Sequence, residues 1–382
     1  MTNTRALTSN WFNRLLLPGF AFKAVVIGGG YATGRELTAF FLPSGPWGGL
    51  YGMALSTVIW STVCAITFLF AIQTGSRDYR SFFSQLLGPC WPAFELAYLL
   101  AIVVILAVFA AAAGAIGEAL FQWRTVIGSL ILVSSITLFA GWGNDAVDRL
   151  FKYVSVFLYL TYAAFLVLSL TTFGDRIVTA FATEIPTTGW LTGGLSYAGY
   201  NVVGAVTILP IVRHLQGRKD ALIAGLLAGP LAMLPAVLFF IAMAAFYPQI
   251  QSQTLPSDFL LEQMHLPFFR YVFQAMIFAA LLESGTGCVH AINERIAQAY
   301  AIRRGSVLSR RTRLAITITI LIGSVFVADR VGLVSLIANG YQLLAYLFLG
   351  LYVLPLMTVG LWRVLRGSAP QPAQAIAPLP DA

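Results

Sequence analysis

The chain has 382 residues, 58% of them hydrophobic and only 10% charged, with a mean hydropathy of +0.81 and a formal net charge of +8. Soluble domains carry about 25% charged residues, so an ordinary soluble enzyme or binding domain is excluded, although the length alone would suit two of them. The basic surplus does not make a nucleic-acid-binding face, because the cations are spread over the ends of apolar stretches.

Residues 1–16 form a short cytoplasmic or interfacial start, with Trp11 and Phe12 as interface anchors. Ten stretches then follow that are each able to cross a hydrocarbon core of about 30 Å, which takes about 20 helical residues. They lie near 17–42, 47–73, 92–120, 124–141, 148–173, 189–213, 219–247, 266–302, 312–329 and 332–363. Unbroken apolar runs of this length predict helices, since the strands of a membrane barrel alternate over about ten residues. No cleavable leader precedes the first span, which is expected to stay attached. The longest connection, 248–265, is polar, lacks Lys and Arg, and has room for a short surface helix. The Pro- and Ala-rich segment 364–382 is expected to be a disordered tail. The fold class is therefore an all-α polytopic membrane protein.

With the N-terminus in the cytoplasm, 18 of the 23 Lys and Arg fall at cytoplasmic ends of spans, which is the positive-inside bias. Only Arg124, Arg176, Arg270 and Arg330 fall outside, and Arg35 lies within a span. An even number of spans returns the C-terminus to the cytoplasm, and a multi-pass protein of the bacterial cytoplasmic (inner) membrane is expected. The cluster "RRGSVLSRRTR" at 303–313 reads as a topology anchor against anionic lipid. Cys64, Cys90 and Cys288 form neither a metal pattern nor a disulfide framework.

The spans divide five and five, into 17–173 and 174–363. Five is odd, so the second half inserts with the opposite orientation to the first. Each half opens on a span interrupted by glycine and polar residues: "IGGGYATG" at 27–34 and "GGLSYAGYN" at 193–201. An inverted repeat whose halves both start with a broken helix points to a transporter site at the bilayer midplane. Glycine costs about 1 kcal/mol against alanine in a helix, and an unwound backbone in lipid is tolerated only where it faces protein or a watery cavity. Freed carbonyls suit a cation, and a new half-helix N-terminus suits a carboxylate. Substrate-binding candidates are Gly28, Gly29, Gly30, Thr33 and Gly34 in the first span, and Ser196, Tyr197, Gly199, Tyr200 and Asn201 in the sixth. The alternative for these glycines is close helix packing. Arg35 and Glu36 sit about 100° apart on the outer half of span one, so they face different partners and suit a gate.

In the eighth span Glu283, Thr286, Gly287, His290 and Glu294 share one helical face, a polar stripe toward the cytoplasm. An ionisable group at this depth is a functional candidate. Glu283 is read as the coupling carboxylate, by H⁺ or as a Na⁺ ligand, with His290 as relay. The competing reading is a fixed Lys23–Glu283 ion pair that locks two helices. Glu95, Glu118 and the segment 339–342 are lesser candidates, with Glu95 and Glu118 near span ends where a solvated carboxylate is common.

The motif "GGGYATGRELTAFF" resembles the first-span signature of the YkvI-like bacterial membrane proteins, a family of amino-acid permeases in the amino acid–polyamine–organocation superfamily. The sharp motif is confined to 28–41, while span count and paired breaks match over nearly the whole chain. The resemblance implies a LeuT-like fold, with spans one and six forming the site and spans three and eight lining it. It also implies a sodium position between the backbone of Val25 to Gly28 and the side chains of Ser284 and Thr286.

These readings converge on a secondary active transporter, working by alternating access, for a small amino acid or related amine coupled to Na⁺ or H⁺. No other cofactor and no nucleic-acid partner is expected; the partners are a small-molecule substrate and membrane lipid. A channel or a transporter-like sensor shares the same sequence features. An enzyme is disfavoured: no H-E-x-x-H or G-x-S-x-G motif occurs, and His214, His265 and His290 lie on different elements.

Overall fold

The computed structural model describes residues 11–27, 29–142, 144–304, 306 and 309–367, with side chains excepted at 29–30, 140–153, 155, 298–299, 302–304 and 310. Gly28, the start 1–10 and the tail 368–382 carry expectations from the sequence that lie outside the described residues. Among the described residues all regular structure is helical. Single helices long and apolar enough to cross a membrane are Leu42–Thr74, Tyr79–Phe121, Arg218–Ala244, Pro267–Ala297, Arg311–Val331 and Leu333–Arg366. Thr125–Phe139 is a shorter apolar helix in the place of span four, and Val156–Thr172 passes for span five together with Gly174–Ala182, bent by 68° from it. Spans one and six are interrupted, so neither contains one unbroken spanning helix. The helices follow the boundaries of the ten apolar runs within a few residues.

Span one runs as Leu17–Val26, a single turn Gly29–Ala32, and Arg35–Phe40. The inner helix starts with Pro18, whose missing N–H costs nothing in a first turn. The chain leaves helical geometry at Ile27 (φ −86°, ψ 76°). It turns again at Gly34, whose φ of +80° is open to glycine and strained for other residues.

Span six is interrupted later than the glycines suggest. Residues 193–201 lie inside the regular helix Trp190–Asn201, and the interruption falls at Val202, before Val203–Thr207. The glycines here serve packing instead. A Cβ on Gly193 would lie 1.9 Å from the Phe40 carbonyl oxygen, and one on Gly194 would lie 2.7 Å from that of Gly52. Ser56 Oγ donates to the Gly194 carbonyl at 2.8 Å, which binds span two to the same helix.

Small residues also let the remaining spans approach closely, as membrane helices require in the absence of a strong hydrophobic drive. Ser61 of span two donates to the Leu226 carbonyl of span seven at 2.8 Å, and Ser129 of span four to the Ala110 carbonyl of span three at 2.6 Å. The 248–265 connection holds the helix Pro256–Gln263, but Pro256 to Leu261 are buried, so it is a plug in the bundle's end and not a surface helix. Asp258 explains its position. It accepts from Arg270 Nε at 2.7 Å and Gln274 Nε2 at 2.8 Å, both on span eight.

Candidate functional site

The outer half of span one and the helix of span six meet through Glu36. Its carboxylate accepts a hydrogen bond from the Tyr200 hydroxyl at 2.5 Å, in a setting where both residues are buried. The phenols of Tyr31, Tyr197 and Tyr341 are its electrostatic neighbours. The rings close the surroundings: Tyr200 lies 4.5 Å from Tyr341 and 5.6 Å from Tyr197, and Phe40 lies 5.7 Å from Tyr200. The Tyr197 hydroxyl is buried without a hydrogen-bond partner, which is rare for a polar group out of water. No described cation of the protein pairs with Glu36.

Arg35 faces the other way, as adjacent helical positions must. Its Nη1 donates to the carbonyls of Gln251 and Gln253 at 2.9 and 2.8 Å, and Gln251 Nε2 returns a bond to the Leu42 carbonyl at 2.9 Å. The Ser257 N–H donates to the Thr33 carbonyl at 3.0 Å. Span one is thereby stitched to the plug loop through Arg35, while Glu36 faces Tyr200 in the interior. Thr33 Oγ1 accepts from the Arg35 N–H at 3.2 Å, across the turn at Gly34.

The remaining sequence candidates divide. Ser196, Tyr197, Tyr200 and Asn201 are buried on span six, with Asn201 Nδ2 donating to the Tyr197 carbonyl at 3.1 Å. Gly199 packs on span ten, where a Cβ would meet that of Ala345 at 3.0 Å. Gly29 and Gly30 form the short turn of span one, and Gly28 lies outside the described residues.

A second constellation lies between spans one, five and eight. A cavity of about 60 Å³ is lined by Ala24, Ile27, Leu158, Tyr159, Ala280, Glu283 and Ser284. Glu283 and Ser284 thus share a wall with the end of the inner half of span one. Thr286 is buried, but its hydroxyl donates to its own helix at the Leu282 carbonyl, 2.7 Å away. The Lys23 ammonium lies over the Tyr159 ring at 4.8 Å and the Phe20 ring at 5.9 Å. On the polar stripe of span eight, His290 is exposed and Glu294 pairs with Arg313 of span nine at 2.8 Å. The Val25 side chain is 41% exposed, so only its backbone could take part in the ion position.

Several residues were not legible as site members. Tyr31, Phe40, Tyr341 and Tyr159 carry no local signal beyond being tyrosines or phenylalanines in apolar spans. Glu95 is not a merely solvated carboxylate: it accepts from Tyr79 at 3.1 Å and lies 3.7 Å from Arg295. Among the described residues no group of three or more His, Cys, Asp or Glu could hold a metal ion.

No protein-family model matches the chain. One curated relative, the uncharacterized membrane protein YkvI of Bacillus subtilis (strain 168), is 23% identical over 339 residues, covering 86% of this chain and 92% of its own. Among solved structures, a manganese transporter of Eremococcus coleocola, crystallised with an aromatic bis-isothiourea substituted compound, is 14% identical. It aligns with a TM-score of 0.61 over 96% of this chain and 85% of its own. MhsT in complex with L-phenylalanine is 16% identical with a TM-score of 0.55, over 92% of this chain and 97% of that one. The inward-facing conformation of Mhp1 is 17% identical with a TM-score of 0.60, over 91% and 77%. With its interrupted first and sixth spans and these likenesses, the chain is similar to the YkvI membrane protein and has the LeuT-like fold.

Proposed function

We propose that this protein is a secondary active transporter, working by alternating access, that carries a small amino acid or related amine and is coupled to Na⁺ or H⁺. The observation that carries the reading is the buried Glu36–Tyr200 contact between the two interrupted spans, beside the orphaned Tyr197 hydroxyl. A carboxylate out of water without a cation of its own is costly unless a ligand supplies one. An ammonium group has three donors and no acceptor. It therefore suits a carboxylate and a phenol oxygen together, and aromatic faces add cation–π attraction. Tyr197 and Tyr200 hold the amine against Glu36, and Arg35 closes the outer approach through the plug loop.

The coupling ion is placed at the small cavity of Glu283 and Ser284. Its volume of about 60 Å³ suits a single ion or water and excludes the solute. Hydroxyl and carboxylate oxygens are hard ligands of the kind Na⁺ takes, and a carboxylate equally carries a proton. The positive-inside distribution supports placement in the bacterial cytoplasmic membrane with both termini in the cytoplasm.

Uptake of radiolabelled L-alanine into proteoliposomes, with imposed Na⁺ or pH gradients, tests the reading. Saturable accumulation against a gradient is the expected result. Passive, gradient-independent flux would favour a channel on the same fold.

A further inference from the structure

Beyond the interruption of span six, on the face that carries the N-terminal segment, lies a cavity of about 220 Å³ that the reading above does not use. Its walls are Tyr79 of the short helix before span three, Tyr98 of span three, Val206 and Pro210 of span six, and Ala291 and Arg295 of span eight. Arg295 is its guanidinium, only 14% exposed. The guanidinium carbon lies 4.1 Å from the Tyr79 ring centroid and 3.9 Å from that of Tyr98, two rings whose planes differ by 14°.

That group is oriented by the rings but not used up by the protein. The nearest carboxylate oxygen, Glu95 Oε1, is 3.7 Å from Arg295 Nη1, inside ion-pair range and outside hydrogen-bond range. The same oxygen already accepts from the Tyr79 hydroxyl at 3.1 Å. Arg295 Nη1 is buried with no hydrogen-bond partner. A guanidinium carries five N–H donors, and buried donors are almost always satisfied. Glu95 supplies the neighbouring charge, but its Oε2 is likewise buried without a hydrogen-bond partner, so the pair leaves donors of the fork unmatched.

We infer that this cavity is a second ligand station, which takes the carboxylate of a small amino acid on Arg295. A planar carboxylate matches the guanidinium fork in a two-point contact. Asp78 on the wall and Glu95 behind the fork oppose any anion, and a doubly charged phosphate more strongly than a singly charged carboxylate. Val206, Pro210 and Ala291 give a short aliphatic side chain an apolar floor. The role as a station for the transported solute rests on the transport reading: the cavity flanks the inner half of span six, where a solute leaving the Glu36 site toward that face would pass.

Three matched probes separate the two sites in the purified full-length protein in lipid nanodiscs. Propionate has only the carboxylate, propylamine only the ammonium, and L-alanine both. Isothermal titration is expected to show propionate binding to the wild type, weakened about tenfold or more by Arg295→Gln and by Arg295→Lys, which keeps the charge but loses the fork. Ala291→Leu fills the cavity, leaves the Arg295–Glu95 pair in place, and is expected to weaken propionate similarly. Propylamine binding by the same variants reports that they are folded, and L-alanine is expected to displace propionate from the wild type. The station is overturned if propionate binds the wild type and the folded variants equally, if only propylamine binds the wild type, or if L-alanine leaves propionate in place. Propionate binding without propylamine binding would instead overturn the Glu36 reading and leave the Arg295 site standing.

Discussion

Glu36 and Tyr200 are 164 positions apart in the chain and meet at 2.5 Å, joining the outer half of span one to span six. The neighbouring charge does not neutralise the contact, because Arg35 is committed to the carbonyls of Gln251 and Gln253. The arrangement separates two adjacent opposite charges by helical rotation alone and points one inward, one to the loop. That division is the basis of the first two predictions.

Glu36→Gln is expected to weaken propylamine binding by about a hundredfold and Tyr200→Phe by about tenfold, the range for losing a charge-assisted contact and one hydrogen bond to it. Titration of both variants in nanodiscs checks this. Affinity for propylamine within twofold of wild type in Glu36→Gln would remove Glu36 from the site.

Arg35→Ala is expected to release the plug loop from span one while leaving amine binding in place. A cysteine introduced at Gln253 reports it. Maleimide labelling in the Arg35→Ala background should be at least about fivefold faster than with Arg35 intact, since two buried charge-assisted bonds then no longer hold the segment. Equal labelling rates would show that the ion network of Asp258 and Arg270 holds the loop alone.

Glu283→Gln and Ser284→Ala are expected to change the ion dependence of uptake and to leave propylamine affinity without added ion unchanged. Transport assays at varied Na⁺ and pH distinguish the two ions. Loss of Na⁺ stimulation in both variants marks a sodium ligand set, and loss of pH stimulation in Glu283→Gln alone marks a proton carrier. Full coupling in both variants would place the ion elsewhere.

Gly34→Ala is expected to destabilise the protein by about 1–3 kcal/mol through its left-handed backbone, with a further penalty from Phe239, whose Cζ would lie 2.8 Å from the new Cβ. Gly75→Ala is the control, because its φ of +69° carries the backbone strain with open space around it. Thermal unfolding in detergent should show the larger loss for Gly34→Ala. Equal losses would show that Phe239 gives way freely.

The spans were legible because each is a long apolar run, and no tertiary contact is needed to recognise one. The interruption of span one was equally legible, since "GGGYATG" combines weak helix formers with polar groups. Span six shows where that logic stops. Gly193, Gly194 and Gly199 look the same in sequence as helix breakers, yet they sit in a regular helix because the Phe40 carbonyl, Gly52 and Ala345 come too close for a side chain. A glycine signals either freedom or crowding, and only the neighbour decides.

The site itself was half legible. Glu36 and Arg35 stood out as charges in a span, but their separate partners come from loops and spans far along the chain. Lys23 reads from the sequence as a partner of Glu283 across neighbouring spans, and Tyr159 of span five, whose ring lies under the Lys23 ammonium, is invisible to that argument. Arg295 counted only as one of the basic residues that set topology. Its aromatic seat comes from Tyr79 and Tyr98, which precede it by about two hundred residues.

The Gly193–Phe40 contact has a mechanical consequence. A carbonyl seated against a bare Cα leaves no room for one helix to slide past the other, so the outer halves of spans one and six are held together with span two, and any motion would carry them as one body. The inner halves are matched in the same manner, with Phe22 against Gly204. Relative motion between the two pairs is then confined to the joints near Ile27 and Val202. Rocking about those joints would open one end of the bundle while the opposite end stays clasped.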